Sequence, residues 1–147
     1  PGIALVQPGW AKGPPALRQL LTSFLLPDAS AEEMGWFNDL QRISASAANA
    51  SRLLRSLGDV DVVDYLPAIT APTLVLHCRD DSSTPFEQGR LIANRIPYAR
   101  FVPLESRNHV LLPRDPAWSV FVSEVRKFLR ETAPVKSQVA KGVARGR

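Results

Sequence analysis

Between residues 14 and 26 the apolar side chains fall at Leu17, Leu20, Leu21, Phe24 and Leu25. That i, i+3, i+4, i+7, i+8 spacing predicts an amphipathic helix, closed by Pro27. Ser30 and Glu33 then form a capping box that opens a second helix, with Ser30 as N-cap. Trp36, Phe37, Leu40 and Ile43 share one side of it. A third helical stretch runs from about Ala47 to Leu57 with Leu53, Leu54 and Leu57 apolar, and Gly58 is a natural stop. Residues 1–58 therefore read as helical, without a strand signal.

After Gly58 the pattern changes. Residues 59–72 read as a connector. Thr73 to Cys78 is a short apolar run of the length expected for a strand buried on both faces. Thr84, Pro85 and Glu87 predict a helix start, with Thr84 as N-cap and Pro85 in the first helical position. That helix runs to about Arg95 and turns Ile92 and Ile96 inward. Gly89 lowers its helix propensity, which points to close packing against a neighbour. Ala99 to Leu104 reads as a second strand. Asp115-Pro116 opens a last helix whose Trp118, Phe121, Val122, Val125, Phe128 and Leu129 form a stripe of period 3.6.

Strand, helix, strand, helix over residues 73–130 is a βαβα unit with parallel strands, so the fold class is α/β. Two strands leave both sheet edges open, and isolated two-stranded sheets are marginal. The sheet is expected to continue in sequence outside this chain, so a missing N-terminal half of the core is its first expected partner.

The overall charge of +4 resembles a nucleic-acid signal until it is located. Lys136, Lys141, Arg145 and Arg147 carry the whole excess, and the remaining 14 basic residues balance 14 acidic ones. Residues 132–147 read as a basic disordered tail. Nucleic-acid contact is expected only through that tail or a fused domain. No apolar run approaches the ~18 residues of a membrane span, and no signal peptide is evident. The single cysteine, Cys78, excludes an internal disulfide framework. Together these predict a cytoplasmic protein of ordinary globular composition. A start without Met fits a fragment or a processed product.

Candidate chemistry lies just past the two strands, where α/β proteins build their sites. Asp81 follows the first strand and His109 the second. Neighbouring parallel strands sit ~4.8 Å apart, so loops after them can touch. An Asp accepting the Nδ1 proton of His109 would leave Nε2 free to take a proton from a nucleophile. Asp80 competes for the acid role, and Asp81 is preferred because it lies four residues before Pro85. His77, His109 and the two aspartates match no usual metal-ligand spacing, so neither metal nor cofactor is expected.

The stretch Ile69-Thr-Ala-Pro-Thr-Leu-Val-Leu-His-Cys-Arg-Asp-Asp81, then Thr84-Pro85, Ile96-Pro-Tyr-Ala-Arg-Phe-Val and Asn108-His109, resembles the α/β-hydrolase superfamily. The resemblance covers residues 59–130 and implies Asp81 as triad acid and His109 as triad base. Trp36 to Arg42 and Phe101 to His109 look like hydrolase domains joined to bacterial transcriptional regulators or cyclases. On that resemblance residues 1–58 are a helical cap, 59–131 the C-terminal βαβα part of the core, and Trp36 and Phe37 candidate pocket residues. Cys78 stands where the family usually has Gly, and reads as a small buried residue. Asn108 replaces the Gly that usually precedes the histidine, and Asn tolerates a left-handed backbone.

No Gly-x-Ser-x-Gly occurs in the chain. The expected function is therefore that of a C-terminal segment of a serine hydrolase, supplying acid and histidine toward a small ester or amide, with the nucleophile outside the chain. The alternatives are a non-catalytic, hydrolase-like ligand-sensing domain of a bacterial regulator and a small self-contained interaction domain.

Overall fold

A computed structural model describes Trp10 and residues 16–133 of the 147-residue chain. Of the expected tail 132–147, Thr132 instead closes the last helix, and residues 134–147 lie outside the described residues. Three helices come first: α1 (Ala16–Leu25), α2 (Ala31–Ser44) and α3 (Ala47–Asp59). A 3-10 turn follows at Val63–Ala68. Then come β1 (Leu74–Cys78), α4 (Phe86–Arg95), β2 (Arg100–Leu104) and α5 (Trp118–Thr132).

The capping box at Ser30 forms as the sequence predicts. Glu33 N–H donates to Ser30 Oγ at 3.2 Å, and Ser30 N–H donates to Glu33 Oε2 at 2.7 Å. A second cap, unforeseen, sits at Ser46, whose Oγ accepts from Asn49 N–H at 3.2 Å. Helix α3 passes through Gly58 and ends at Asp59, one residue beyond the expected stop.

The predicted apolar stripes do not make one packed core. On α1 the buried positions are Arg18 and Thr22, while Leu20 and Phe24 are about half exposed. Thr22 Oγ1 lies 2.7 Å from Asn38 Oδ1 and accepts from Gln41 Nε2 at 2.8 Å. The seam between α1 and α2 is therefore polar, and the leucines are displaced from it. Helix α2 has no buried residue, and on α3 the buried ones are Ala50 and Ser51. Leu17, Leu21 and Leu54 pack on buried Trp10 and Ala50, while Phe24, Phe37, Leu40, Leu53 and Leu57 line a cleft.

Strands β1 and β2 pair in parallel, from Leu74 opposite Arg100 to Cys78 opposite Leu104. Four residues of each strand are only half-buried, where burial on both faces was expected for β1. Cys78, Leu104 and Ala117 form the buried centre, with Leu76, Val102 and Phe121 packed on it. The α5 stripe forms along Trp118, Phe121, Val122, Val125 and Phe128, half-buried, while Leu129 is exposed.

Two helix starts differ from expectation. Helix α4 begins at Phe86, and Thr84 makes no cap hydrogen bond. Pro85 has ψ 136°, which is extended and excludes it from the helix. The turn before it is closed instead by Asp81, whose Oδ1 takes the N–H groups of Ser83 and Thr84 at 2.8 and 3.0 Å. Helix α5 begins at Trp118, three residues after Asp115. Asp115 still organises that start, through Oδ1 accepting from Ala117 N–H at 2.9 Å.

Gly89 has a clear reason. A Cβ built there would lie 2.6 Å from His77 Nδ1 and 2.8 Å from His77 Cβ. The α4 backbone thus rests on the β1 imidazole. Gly89→Ala should destabilise the chain by ~1–3 kcal/mol through overpacking. His77→Ala in the same chain should recover much of that loss in urea unfolding. Additive losses would show that the two positions do not press on each other.

Candidate functional site

The loops after β1 and β2 are joined by backbone hydrogen bonds beyond the strands themselves. Arg79 N–H donates to Leu104 O at 2.9 Å, Asp80 N–H to Ser106 O at 3.2 Å, and Ser82 N–H to Arg107 O at 3.1 Å. This pairing carries the sheet register into the loops and brings their side chains together. His109 Nδ1 lies 2.8 Å from Asp81 Oδ2. Asp80 is exposed and makes no such contact among the described residues.

The Asp81 side chain is only 3% exposed. Burial pushes its carboxyl upward, but hydrogen bonds from Thr84 N–H, His109 and Ser83 N–H outweigh that and hold it below the ordinary carboxylate range. It is therefore an anion at neutral pH, and His109 Nδ1 is the protonated nitrogen that faces it. His109 Nε2 has no hydrogen-bond partner among the described residues.

His77 touches the same turn from below. Its Nε2 is 3.1 Å from the Thr84 carbonyl, so that nitrogen carries the proton and donates. The same atom lies 3.6 Å from Asp81 Oδ2. The ring packs edge-on to Phe86 at 5.9 Å.

Behind His109 lies a buried polar network that the sequence did not reveal. Asn108 is 3% exposed. Its Nδ2 donates to Asp115 Oδ2 at 3.0 Å, its Oδ1 accepts from Asp28 N–H at 3.1 Å, and its N–H donates to Ser106 Oγ at 3.1 Å. Ser106 Oγ in turn donates to Asp115 Oδ2 at 2.6 Å. Burial raises the Asp115 carboxyl, but Ser106, Ala117 N–H and Asn108 together bring it below its usual value. Asn108 has no left-handed backbone, since Tyr98 is the only non-glycine with positive φ among the described residues. The residue is there for its amide. A sequence signal existed only for Asp115, which precedes a proline as a cap does.

The histidine loop is also tied to the helical segment. His109 and Val110 N–H both donate to Leu25 O, at 2.9 and 3.2 Å. Arg114 forms a forked pair with Glu33, whose carboxyl is held down to about 2 chiefly by that hydrogen bonding. Cys78 is buried, and desolvation, with the Asp81 and Asp115 charges, pushes its thiol up to about 11. It is a thiol and not a thiolate at neutral pH.

His109 lines a cleft of about 890 Å³ with Ser82, Ser83 and Thr84. Phe37 lines it too. Trp36 does not: its side of α2 faces outward, leaving it 59% exposed with its ring 6.0 Å from that of Phe37. Among the described residues no group of three or more His, Cys, Asp or Glu could hold a metal ion, and no helix is long and apolar enough to cross a membrane.

A buried aspartate and a histidine on loops after parallel strands, beside a helical layer, are the C-terminal part of an α/β-hydrolase fold. The comparisons agree. A protein of Pseudomonas syringae pv. syringae named as the carbamate hydrolase RutD is 37% identical over 81 residues, covering 55% of this chain and 30% of that one. The AB hydrolase superfamily protein YisY of Bacillus subtilis is 31% identical over 99 residues, covering 67% of this chain and 37% of that one. An esterase from Exiguobacterium antarcticum superposes with a TM-score of 0.69 at 23% identity, over 84% of this chain and 47% of that one. This last likeness shows the fold. No family model matches. The chain belongs to the α/β-hydrolase superfamily, and spans about a third of the length of the two curated relatives.

The depressed Asp81 carboxyl has a stability consequence. The folded state prefers the anion, so its contribution is present above the unfolded value of ~3.9 and is lost as pH falls through the lower folded value. The stability gap between the wild-type chain and Asp81→Asn should be constant from pH 7 to pH 5 and shrink below about pH 4. Urea unfolding at pH 7, 5 and 3 measures it, and a gap independent of pH would contradict the assignment.

Proposed function

We propose that this chain supplies the acid and the base of a serine α/β-hydrolase triad, acting on a small ester, amide or similar substrate. The observation that carries the reading is the 2.8 Å contact between His109 Nδ1 and buried Asp81, with Nε2 left unpartnered beside the cleft. Asp81 holds the tautomer and orientation of the ring. His109 Nε2 takes the proton of a serine hydroxyl as it attacks, then returns it to the leaving group.

The nucleophile is assigned to residues outside this chain, because no Gly-x-Ser-x-Gly occurs in it. Ser82 and Ser83 lie near His109 in the cleft, but neither stands on a strand-to-helix elbow. On this reading residues 1–58 are the cap and shape the pocket, and the unpaired sheet edges receive the remaining strands. The parent protein hydrolyses a substrate held between cap and core.

A second reading has one observation in its favour. Apolar side chains and His109 line one cleft of about 890 Å³, so a ligand can be held without a nucleophile. A ligand-sensing domain of a regulator fits that. The preceding coding sequence separates the two: a Gly-x-Ser-x-Gly after a strand supports catalysis, and a DNA-binding segment without one supports sensing.

In a parent that carries the elbow, His109→Ala and Asp81→Asn should each lower kcat/KM for a p-nitrophenyl ester by ~10³–10⁴, with KM little changed. The double variant should fall no further than the worse single one, since the pair acts as a unit. Undiminished turnover in both singles would falsify the triad assignment. The 147-residue chain alone should show no turnover above buffer.

A further inference from the structure

The walls of the cleft name the kind of group it accepts. None of its lining side chains, among the described residues, is Asp, Glu, Lys or Arg. The helical walls are apolar: Leu21, Phe24, Phe37, Leu53, Leu54 and Leu57.

The side-chain N–H and O–H donors within these walls are spent on the protein itself. Gln41 Nε2 donates to Thr22 Oγ1 at 2.8 Å and to Arg18 O at 3.3 Å. Ser44 Oγ donates to Leu40 O at 2.6 Å, and Trp10 Nε1 to Ala45 O at 2.8 Å. Hydrogen-bond donation to a ligand is thereby concentrated where Ser82, Ser83, Thr84 and His109 meet the cleft. The volume of about 890 Å³ falls within the ~300–1,000 Å³ of small-molecule sites.

We infer that the cleft binds an uncharged ester with an apolar acyl chain of medium length, its carbonyl at His109 and its hydrocarbon along the helical leucines. The inference rests on the hydrolase reading for the placement of the carbonyl. A charged tail would be stripped of water against walls that offer it no opposite charge, and is rejected for that reason. Lengthening an apolar tail removes more hydrocarbon from water and tightens binding until the cleft is full.

The full chain contains two histidines, which makes the test local. His109 lines the cleft. His77 does not, and sits under Gly89 as an internal control. Imidazole NMR signals are followed while methyl butanoate, methyl hexanoate and methyl octanoate are titrated in turn. The His109 signal should shift and the His77 signal should stay. Affinity should rise roughly fourfold per added methylene, the equivalent of ~0.8 kcal/mol each.

Methyl 8-aminooctanoate, of the same length with a charged end, should bind at least tenfold more weakly than methyl octanoate. Leu53 is 59% exposed and Leu57 61%, so either tolerates a charge without unfolding the chain. Leu57→Asp should weaken methyl octanoate about tenfold and strengthen the amino ester, reversing the preference.

Equal affinity for neutral and charged esters overturns the inference. So does an absent chain-length dependence, or a His109 signal that never moves up to the solubility of the esters. Binding is read without turnover, so the two claims fail separately. Selective binding with no hydrolysis by an elbow-bearing parent overturns the catalytic reading alone, and efficient parental hydrolysis of charged-tail esters overturns the selectivity alone.

Discussion

The site depends on one buried carboxylate. Asp81 has two oxygens, and the structure uses both. Oδ1 closes the turn before α4 by taking two backbone N–H groups, and Oδ2 faces the histidine ring. A buried anion is costly unless its lone pairs are filled, and here three donors fill them. The turn and the histidine are therefore coupled through one group. A neutral side chain in its place loosens the entry to α4 and the aim of His109 together, so stability and function at this residue cannot be separated by a single substitution.

The second constraint comes from the other side of His109. Its backbone N–H is spent on the carbonyl of Leu25, the last residue of α1, and its neighbour Asn108 bridges Asp28 and Asp115. The histidine loop is thus clamped between the helical segment and the start of α5. The Arg114–Glu33 fork lies on the surface and is screened, so it adds little by itself. The buried amide of Asn108 matters more, because removing it leaves the Asp28 N–H without its acceptor and takes one of the two donors from Asp115 Oδ2. Under the proposed reading, the segment that walls the pocket also sets the position of the base, and a shift of that segment reaches the chemistry through Leu25.

Much of this was legible in the residues. Two apolar runs of strand length, each ending in a polar turn, placed the aspartate and histidine after parallel strands, because side-chain order along a βαβα unit follows from its topology. The spacing to Pro85 favoured Asp81 over Asp80, and the geometry puts Asp81 against His109. Gly89 announced a close neighbour without naming it. The helices expected after Thr84 and Asp115 begin one and two residues later, at Phe86 and Trp118, because Asp81 and Asp115 first close turns on the N–H groups of Ser83, Thr84 and Ala117. Asn108 was assigned to backbone conformation when its value lies in three hydrogen bonds to groups up to eighty residues away, which no local pattern encodes.

The helical segment shows where periodicity stops being informative. Leu53, Leu54 and Leu57 on α3, and Phe37 and Leu40 on α2, have the spacing of a core stripe. Spacing cannot distinguish a face that packs on protein from one that lines a cleft, since both exclude charge. The distinguishing evidence is where the polar residues go. Arg18, Thr22 and Ser51 are buried while Leu53 and Leu57 are more than half exposed, the reverse of what a closed core produces. Such an inversion costs hydrophobic stabilisation that a purely structural helix layer would keep. The polar seam between α1 and α2 recovers part of it through hydrogen bonds. Leu53 and Leu57 of α3 and Phe24, Phe37 and Leu40 of α1 and α2 line the same cleft as His109, so on the proposed reading the layer gives up packing to wall a pocket beside the base.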